Sequence, residues 1–419
     1  MRVAVVGGGY SGTMAAVEIA RRVPGAEVSL VEKRDRFAAG AAYSTSSPSH
    51  LLNVRARSMS AFAEDPDHFT RWLQGEGLGG WDTFARRRDY HRYLAAILDG
   101  AAVRRVAGEA VAIEGSELAL ASGELIPFDA LVLAGGNYPG RLPARVAIPV
   151  IDDPWSAEGL SAIAGLARRE GDVLLVGTGL TMVDVALSLD DSGFDGRMLA
   201  VSRRGLVPRP QEGSPDAPLA GEPPSRLLDL VRHVRAGRPW RAAVDSLRPH
   251  SAALWQGFDE SEKRRFLRHL RPWWDVHRHR IAPAVARRIE ALRASGRLEV
   301  AAGRIGGGRD GETIVSLRGG GTLRRRFAAA VNCTGPEGRI DRVSDPLIRQ
   351  AIASGRARPD RLGLGLDVDE RSRLIGADGA ASPRLFAVGP LSKGAFWEIV
   401  AVPDIRHQVL AVARALAAS

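Results

Sequence analysis

Cysteine is almost absent: Cys333 is the single thiol in 419 residues. One thiol closes no intrachain disulfide and forms no Cys-x-x-Cys pair, so disulfide-relay chemistry and cysteine-based zinc sites are excluded. Lysine is scarce too, with only Lys33, Lys263 and Lys393 among 58 basic residues, the rest being arginine. No apolar run approaches the roughly 18–20 residues that cross a bilayer. The run Val3-Ala4-Val5-Val6 stops at glycines too early for a signal-peptide core. These absences leave the cytoplasm as the expected compartment, with no membrane partner.

What is present describes a folded chain. Hydrophobic residues make up 45% and charged residues 25%, enough for more than one core, and the length suits two or three domains. The net charge of +10 suits attraction of an anionic cofactor. The arginines are scattered and no nucleic-acid motif accompanies them, so an Arg-rich, Lys-poor coding bias accounts for them without a nucleic-acid partner.

The first thirty residues read as strand, glycine turn, helix, strand. Arg2 to Val6 is a short apolar run, and Gly7-Gly8-Gly9-Tyr10-Ser11-Gly12 follows at once. Thr13 to Val23 has helical spacing, and Val28 to Val31 ends on Glu32. Gly7 permits the tight turn, Gly9 a close approach of pyrophosphate, and Gly12 close helix–strand packing, while Glu32 stands where ribose hydroxyls are bound. A second unit starts at Asp172, with strand Val173 to Val176, turn Gly177-Thr178-Gly179, a helix through Leu189 and a strand from Met198 to Val201. Met182 takes the third glycine position, so wider packing is expected there. Ser202-Arg203-Arg204 ends the next strand where the first unit has its acid; guanidinium groups there suit a 2′-phosphate. An acid in the first unit and arginines in the second imply FAD first and NADPH second.

Between these units, residues 103–129 read as a small antiparallel meander, and Ala130 to Ala134 as a buried strand ending at Gly135. Residues 206–224 are proline-rich and read as an extended crossing, and about 225–295 is helical without a strand signal. Strands return, ending with Ala328 to Cys333 and Leu385 to Val388, and a last helix starts near Pro403. The fold class is therefore α/β, with two Rossmann-like dinucleotide-binding domains and a helical insertion. The expected FAD domain is discontinuous, residues 1–145 and 328–419. The NADPH domain is 146–327, with its insertion at about 210–296.

The sequence resembles the two-dinucleotide-binding-domain flavoproteins. More narrowly it is similar to bacterial FAD–NAD(P)-binding oxidoreductases related to the N-hydroxylating class B flavin monooxygenases. The resemblance rests on Val5 to Gly12, His50-Leu51-Leu52-Asn53-Val54, Asp153-Pro154-Trp155, Gly177 to Asp184, Ser202 to Gly205, and Gly394 to Arg406. It implies that His50 to Asn53 runs beside the flavin and that Arg87 and Tyr90 sit on a helix supporting FAD. It also implies that Gly389-Pro390-Leu391 meets the phosphate and ribityl groups. Expected cofactor contacts are Gly7, Gly9, Tyr10, Ser11, Gly12, Glu32, Leu52, Asn53, Arg87, Val111, Gly135, Gly335, Gly389, Pro390 and Leu391 for FAD. Those for NADPH are Gly177, Gly179, Leu180, Thr181, Ser202, Arg203 and Arg204. Two departures stand out: Pro390 replaces an aspartate common in relatives, and the class B histidine fingerprint between the domains is missing.

The implied activity is an NADPH-reduced, FAD-dependent monooxygenation of a small amine or amino acid by molecular oxygen through a peroxyflavin. The alternatives are a flavoprotein reductase without oxygenation and a non-catalytic dinucleotide-binding sensor. The flavin carries the chemistry, so no side-chain nucleophile is required; Asn53 and Trp397 are the near-flavin candidates, with core packing an equal reading for Trp397. Arg271 to Arg280, with Trp273, Trp274, His277 and His279, reads either as an aromatic and basic wall to an anionic ligand or as a solvated helix with core tryptophans. A metal reading of the two histidines lacks a third ligand nearby.

Overall fold

The computed structural model describes residues 1–34, 36–212, 221–236, 239–308 and 312–418. Two sheets organise it. The first has the strand order Arg373–Ile375, Ala381–Ala387, Ala130–Leu133, Arg2–Val6, Glu27–Glu32, Val103–Ala107. All of its pairings are parallel except the antiparallel pair formed by the first two strands in that order. Ala130–Leu133 is buried throughout, as a central parallel strand covered on both faces must be. One cover is the helix Tyr10–Arg22, whose Met14, Val17 and Ile19 share a core with Ile405, Val409 and Val412 of the helix Val402–Ala417. The two ends of the chain thus close one core.

The second sheet runs Thr322–Arg326, Glu312–Leu317, Leu298–Gly306, Met198–Ser202, Val173–Val176, Ala329–Asn332, Val150–Ile151. Its inner strands are parallel, and the first three in that order form an antiparallel extension. In each sheet the strand order reverses beside the strand that feeds a glycine turn, which is where open α/β sheets bind ligands. Among the described residues no helix is long and apolar enough to cross a membrane.

The structure alters two expectations. The strand Val103–Ala107 joins the first sheet in parallel with Glu27–Glu32, and only Ala110–Glu114, Glu117–Leu120 and Leu125–Pro127 form the antiparallel meander. The strand Ala329–Asn332 belongs to the second sheet, so the chain returns to the first after Asn332 rather than at residue 328. The physical reason is its apolar run, buried throughout, which fills the gap between Val173–Val176 and Val150–Ile151. The proline-rich stretch at 206–224 is extended as far as it is described, residues 213–220 lying outside the described residues. Beyond it, Leu227–Ala236 through Pro283–Ala294 are all helical.

The two sheets are held to each other at specific points. Arg87, at the start of the helix Arg87–Asp99, grips Asp184 of the helix Leu180–Asp191 through two nitrogens, at 2.8 and 3.0 Å. Its Nε also donates to the Leu51 carbonyl. His50 is buried beside this pair, with Nε2 3.0 Å from the Asp184 carbonyl and Nδ1 2.7 Å from Thr45 Oγ1. Burial, reinforced by Arg87, holds the His50 imidazole below its ordinary value despite Asp184, so it is neutral at neutral pH. The two chain crossings pair as well: Pro139 bridges Pro336, and Asn332 Nδ2 donates to the Gly140 carbonyl at 2.7 Å.

Arg87→Met leaves the Asp184 carboxylate buried and unpaired. Its cost is expected at about 3–5 kcal/mol, whereas Arg87→Met with Asp184→Leu regains most of that loss. Denaturant midpoints of both variants check this; equal midpoints for single and double variants count against the pair as a tie. The pH dependence has a defined sign. As pH falls below about 6.5, the unfolded chain protonates His50 before the folded one does, so this contribution to stability declines on acidification.

Candidate functional site

The helix Tyr10–Arg22 starts directly from its glycine turn, with Gly9 as N-cap and no side-chain cap. Its first-turn N–H groups are therefore open to an anion. The glycines there have different reasons. Gly7 has φ +107°, and a Cβ on it would lie 2.4 Å from the Ala134 carbonyl oxygen. A Cβ on Gly12 would lie 1.8 Å from the Gly7 carbonyl oxygen, so strand and helix approach as the turn requires. Gly9 is unlike both: a Cβ there meets only Gly40, at 3.4 Å, and faces open space otherwise. Its bareness is required by something other than the protein's own packing.

Glu32 ends its strand 9% exposed, with Oε2 accepting from Gly8 N at 2.6 Å and Oε1 from Arg34 N at 2.9 Å. The carboxylate is fixed at the turn and keeps lone pairs for hydroxyl donors. Gly8, outside the glycine fingerprint, is required by this acid, because a Cβ on it would lie 2.8 Å from Glu32 Cβ. Gly389 closes the turn from the other side, with φ +67° and room for a Cβ only 2.4 Å from Ser11 Oγ. Gln408 holds it there, accepting from Gly389 N and donating to Ser392 and Ser372. Leu391 is buried beneath, and Pro390, half-buried, offers no carboxylate. Tyr10 turns its side chain into the core, its hydroxyl reaching the Ala61 carbonyl, so only its main chain remains for a ligand. Val111 lies on the meander strand Ala110–Glu114, and Gly135 is exposed just past Ala130–Leu133; neither lines the main cavity.

That cavity, about 1720 Å³, lies between the two sheets. Leu52, Asn53 and Arg87 line one side and Gly177, Gly179, Leu180 and Thr181 another, with Gly335 at the crossing. Asn53 has no side-chain hydrogen bond among the described residues, leaving its amide for a ligand. Val400 to Pro403 bring the N-terminus of the helix Val402–Ala417 into the same space. The sixteen residues of that helix give its end a positive partial charge.

In the second turn, Gly177 has φ +122° and a Cβ on it would lie 2.1 Å from the Cys333 carbonyl oxygen. Cys333 is thus structural; burial pushes its thiol up, away from thiolate chemistry. Met182 fills the third glycine position, fully buried in the core of the second sheet. Ser202 Oγ is 2.8 Å from Thr178 Oγ1 and accepts from Gly205 N, fixing the end of the strand. Beyond it Arg203 and Arg204 line the cavity, joined by Arg304 and Arg318 from the neighbouring strands. None of the four pairs with a carboxylate among the described residues. Sequence reading misses Arg304 and Arg318, because only strand pairing brings residues a hundred positions away beside Ser202.

Trp397 is elsewhere. Although buried at 5% exposure, it does not line the main cavity but stacks on Trp255 at 4.8 Å within the helical insertion, so the near-flavin reading of this residue is not supported. The residue of that segment that reaches the cavity is Lys393, whose ammonium lies 4.7 Å from the Trp397 ring. Burial, with repulsion from Arg271, pushes it down to about 8. Arg271, Asp275, Arg278 and His279 line the cavity as well, and Glu398 beneath them accepts from Trp274 Nε1 at 2.8 Å and faces Arg278 at 3.3 Å. Among the described residues no cluster is arranged to hold a metal.

Gly9→Ala is expected to fold normally, because its methyl group makes only an ordinary contact with Gly40, and to purify with little flavin if this turn carries a pyrophosphate. Gly12→Ala is expected to yield little soluble protein, since its methyl group overlaps the Gly7 carbonyl. Flavin absorbance per polypeptide and circular dichroism check both; full flavin content in Gly9→Ala would overturn the assignment of this turn.

Residues 4–138 match the family model described as FAD-NAD(P)-binding. Uncharacterized proteins of Mycobacterium tuberculosis and Mycobacterium bovis are 35% identical over 99 residues, a stretch that covers 22% of this chain and only 17% of theirs. Among solved structures, the ornithine hydroxylase of Pseudomonas aeruginosa is 17% identical over 100% of this chain and 98% of its own, with a TM-score of 0.64. The ornithine N-hydroxylase of a Kutzneria species, solved with reduced FAD, NADP+ and L-ornithine, is 16% identical over 99% and 98%, with a TM-score of 0.62. Thioredoxin reductase of Lactococcus lactis is 13% identical over 100% and 99%, with a TM-score of 0.53. The chain therefore carries an FAD-NAD(P)-binding unit at residues 4–138 and has, over its whole length, the fold of the two-dinucleotide-binding-domain flavoproteins.

Proposed function

We propose that this protein is an FAD-dependent, NADPH-reduced monooxygenase that oxygenates a small amine or amino acid at nitrogen. The observation that carries the reading is that the second glycine turn and the N-terminus of the helix Val402–Ala417 open on one cavity, flanked by Asn53. FAD bound there would take a hydride from NADPH and pass the electron pair to oxygen. Everything else falls to the chain's own residues.

The turn at Gly7 to Gly12 and Glu32 would hold the adenosine end of FAD, and Gly389 to Leu391 would meet the middle of the cofactor. The helix N-terminus at Val402 supplies N–H groups and a positive dipole end for negative charge on a reduced ring. Arg203, Arg204, Arg304 and Arg318 form a cavity wall suited to a 2′-phosphate, which favours NADPH over NADH as the reductant. Arg248 and Arg268 line the cavity without a carboxylate in contact and suit a substrate carboxylate. Lys393 is the one lysine among the described residues lining the cavity, in a chain with only three, and burial brings it down to about 8. A neutral Lys393 accepts the proton of a bound ammonium substrate, freeing the nitrogen lone pair.

Arg203→Ala with Arg204→Ala is expected to raise the KM for NADPH about 10- to 100-fold, as for a lost bidentate phosphate contact, and to leave NADH use unchanged. Adding Arg304→Ala should extend the effect. Equal use of both nucleotides by the unsubstituted protein would count against this wall.

The activity itself is tested by following NADPH oxidation, oxygen uptake and product mass with a panel of amines and amino acids. A substrate gaining one oxygen atom per NADPH supports the reading. Quantitative hydrogen peroxide with no oxygenated product for any amine moves the assignment to a reductase. For an accepted amine, kcat/KM should rise with pH through about 8, the value held by Lys393. In Lys393→Arg, which stays protonated, the inflection should move up to that of the free amine. Superimposable profiles remove Lys393 from the reaction.

A further inference from the structure

We infer that the helical insertion carries a second ligand site, separate from the cofactor cavity, that takes a neutral apolar molecule bearing a single hydrogen-bond acceptor. The site is a pocket of about 720 Å³. That is far above a packing defect in interiors as dense as organic crystals, and within the span of roughly 300–1,000 Å³ typical of small-molecule sites. Five of the eight tryptophans of the chain line it: Trp240, Trp255, Trp273, Trp274 and Trp397. Leu230, Val231, Leu247, Leu254 and Phe266 complete its apolar wall. Trp273 stands at 46% exposure, an apolar ring left in water beside the pocket.

The polar groups of the pocket select the ligand. Trp255 Nε1 donates to the Gly394 carbonyl and Trp274 Nε1 to Glu398, each at 2.8 Å, so both are satisfied by the protein. His277 Nδ1 is engaged with the Trp273 carbonyl at 2.7 Å. Trp397 differs: it is 5% exposed and its Nε1 is a buried donor with no partner. A buried N–H without an acceptor is costly, and native proteins rarely leave one. An acceptor oxygen on an apolar ligand satisfies it. The one permanently charged side chain in the lining among the described residues, Arg235, is exposed to water, and Lys393, Arg271 and Arg278 line the other cavity. Away from Arg235 the lining holds no charge to compensate a carboxylate or an ammonium, and a neutral carbonyl compound fits there.

One helix separates the two sites. In the segment 266–279, Arg268, Arg271, Asp275 and Arg278 face the cofactor cavity, whereas Phe266, Leu270, Trp273 and Trp274 face the apolar pocket. The second ligand therefore binds without displacing a dinucleotide.

The probe is 6-propionyl-2-dimethylaminonaphthalene, a neutral aromatic ketone whose emission shifts to the blue in apolar surroundings, titrated into the flavin-loaded protein. One saturable site is expected, with energy transfer from tryptophan and an affinity unchanged by saturating NADP+. Val231→Trp fills the pocket and should abolish the signal. Trp397→Phe removes the N–H together with the five-membered part of the ring and should weaken binding at least about five-fold, the loss of one neutral hydrogen bond. Flavin content and circular dichroism report whether each variant is folded, and Trp397→Phe with the NADP+ competition carries the test where Val231→Trp does not fold. Absence of saturable binding, displacement by NADP+, or indifference to Trp397→Phe would each overturn the proposal. So would a dimer that excludes the probe and that Val231→Trp dissociates, because the pocket is then an interface between copies.

Discussion

The bidentate contact of Arg87 with Asp184 decides whether this chain has one site or two. Each sheet would bind a dinucleotide edge alone, but their chemistry meets only if the glycine turns keep a fixed separation. Arg87 lies on a helix that follows the first sheet's loops, and Asp184 on the helix that leaves the second glycine turn. Side-chain exposures of 12% and 8% make the pair a buried one. Such a pair gains little over apolar packing, because desolvation offsets most of the attraction. What it adds is orientation: a planar fork accepts a carboxylate in one plane only. The same grip holds the Leu51 carbonyl, and neutral His50 joins the Asp184 carbonyl, so the loop carrying Leu52 and Asn53 is set from the far domain. The position of Asn53 in the cavity depends on a residue of the other unit.

The distribution of charge completes this picture. Many arginines at the surface are matched with acids, as Arg2 with Asp129, Arg92 with Glu76 and Arg339 with Asp341, and exposed pairs of this kind contribute little. One wall of the cavity lacks this matching. Arg203, Arg204, Arg304 and Arg318 stand together without acids among the described residues, and their combined positive field draws anions in. The excess of +10 therefore has a functional share that composition by itself hides. A scattered pattern in sequence becomes a patch because the strand Leu298–Gly306 lies beside Met198–Ser202.

Much of the fold is legible in the residues because its signals are local. Gly7 to Gly12 with Glu32, and Gly177 to Gly179 with Ser202, each fix strand, turn and helix within thirty positions, and the structure has these elements where the spacing puts them. Strand partnership is not local. Val103–Ala107 looks like the start of a meander, and only Val28 and Val31 beside it reveal a parallel edge strand. Ala329–Asn332 reads the same for either sheet, since a strand buried on both faces carries no pattern to tell them apart. The site divides likewise. Glycines and the acid are visible because backbone geometry demands them, whereas Arg304, Arg318 and Lys393 are ordinary residues until distant elements bring them to one wall. Trp397, read equally as a near-flavin or a core residue, packs in the core against Trp255.

The segment from Gly389 to Glu398 explains why that tryptophan is conspicuous. It begins against Ser11 at the dinucleotide turn, passes Lys393 in the cavity, and ends in the helical insertion. Trp397 holds φ at +43°, a conformation that costs a non-glycine residue of order 1–3 kcal/mol. The cost is met locally by its stack on Trp255 and the edge contact of Phe266 at 5.2 Å. A bulky residue is kept at a strained position because only a wide ring there fills the space between insertion and cavity while seating the Lys393 ammonium on its face. Removing the ring would free Lys393 to reach water, and the burial that lowers its proton affinity would go with it. The protonation behaviour of the cavity is thus set by packing in the insertion, on the far side of Lys393 from the cofactor turns.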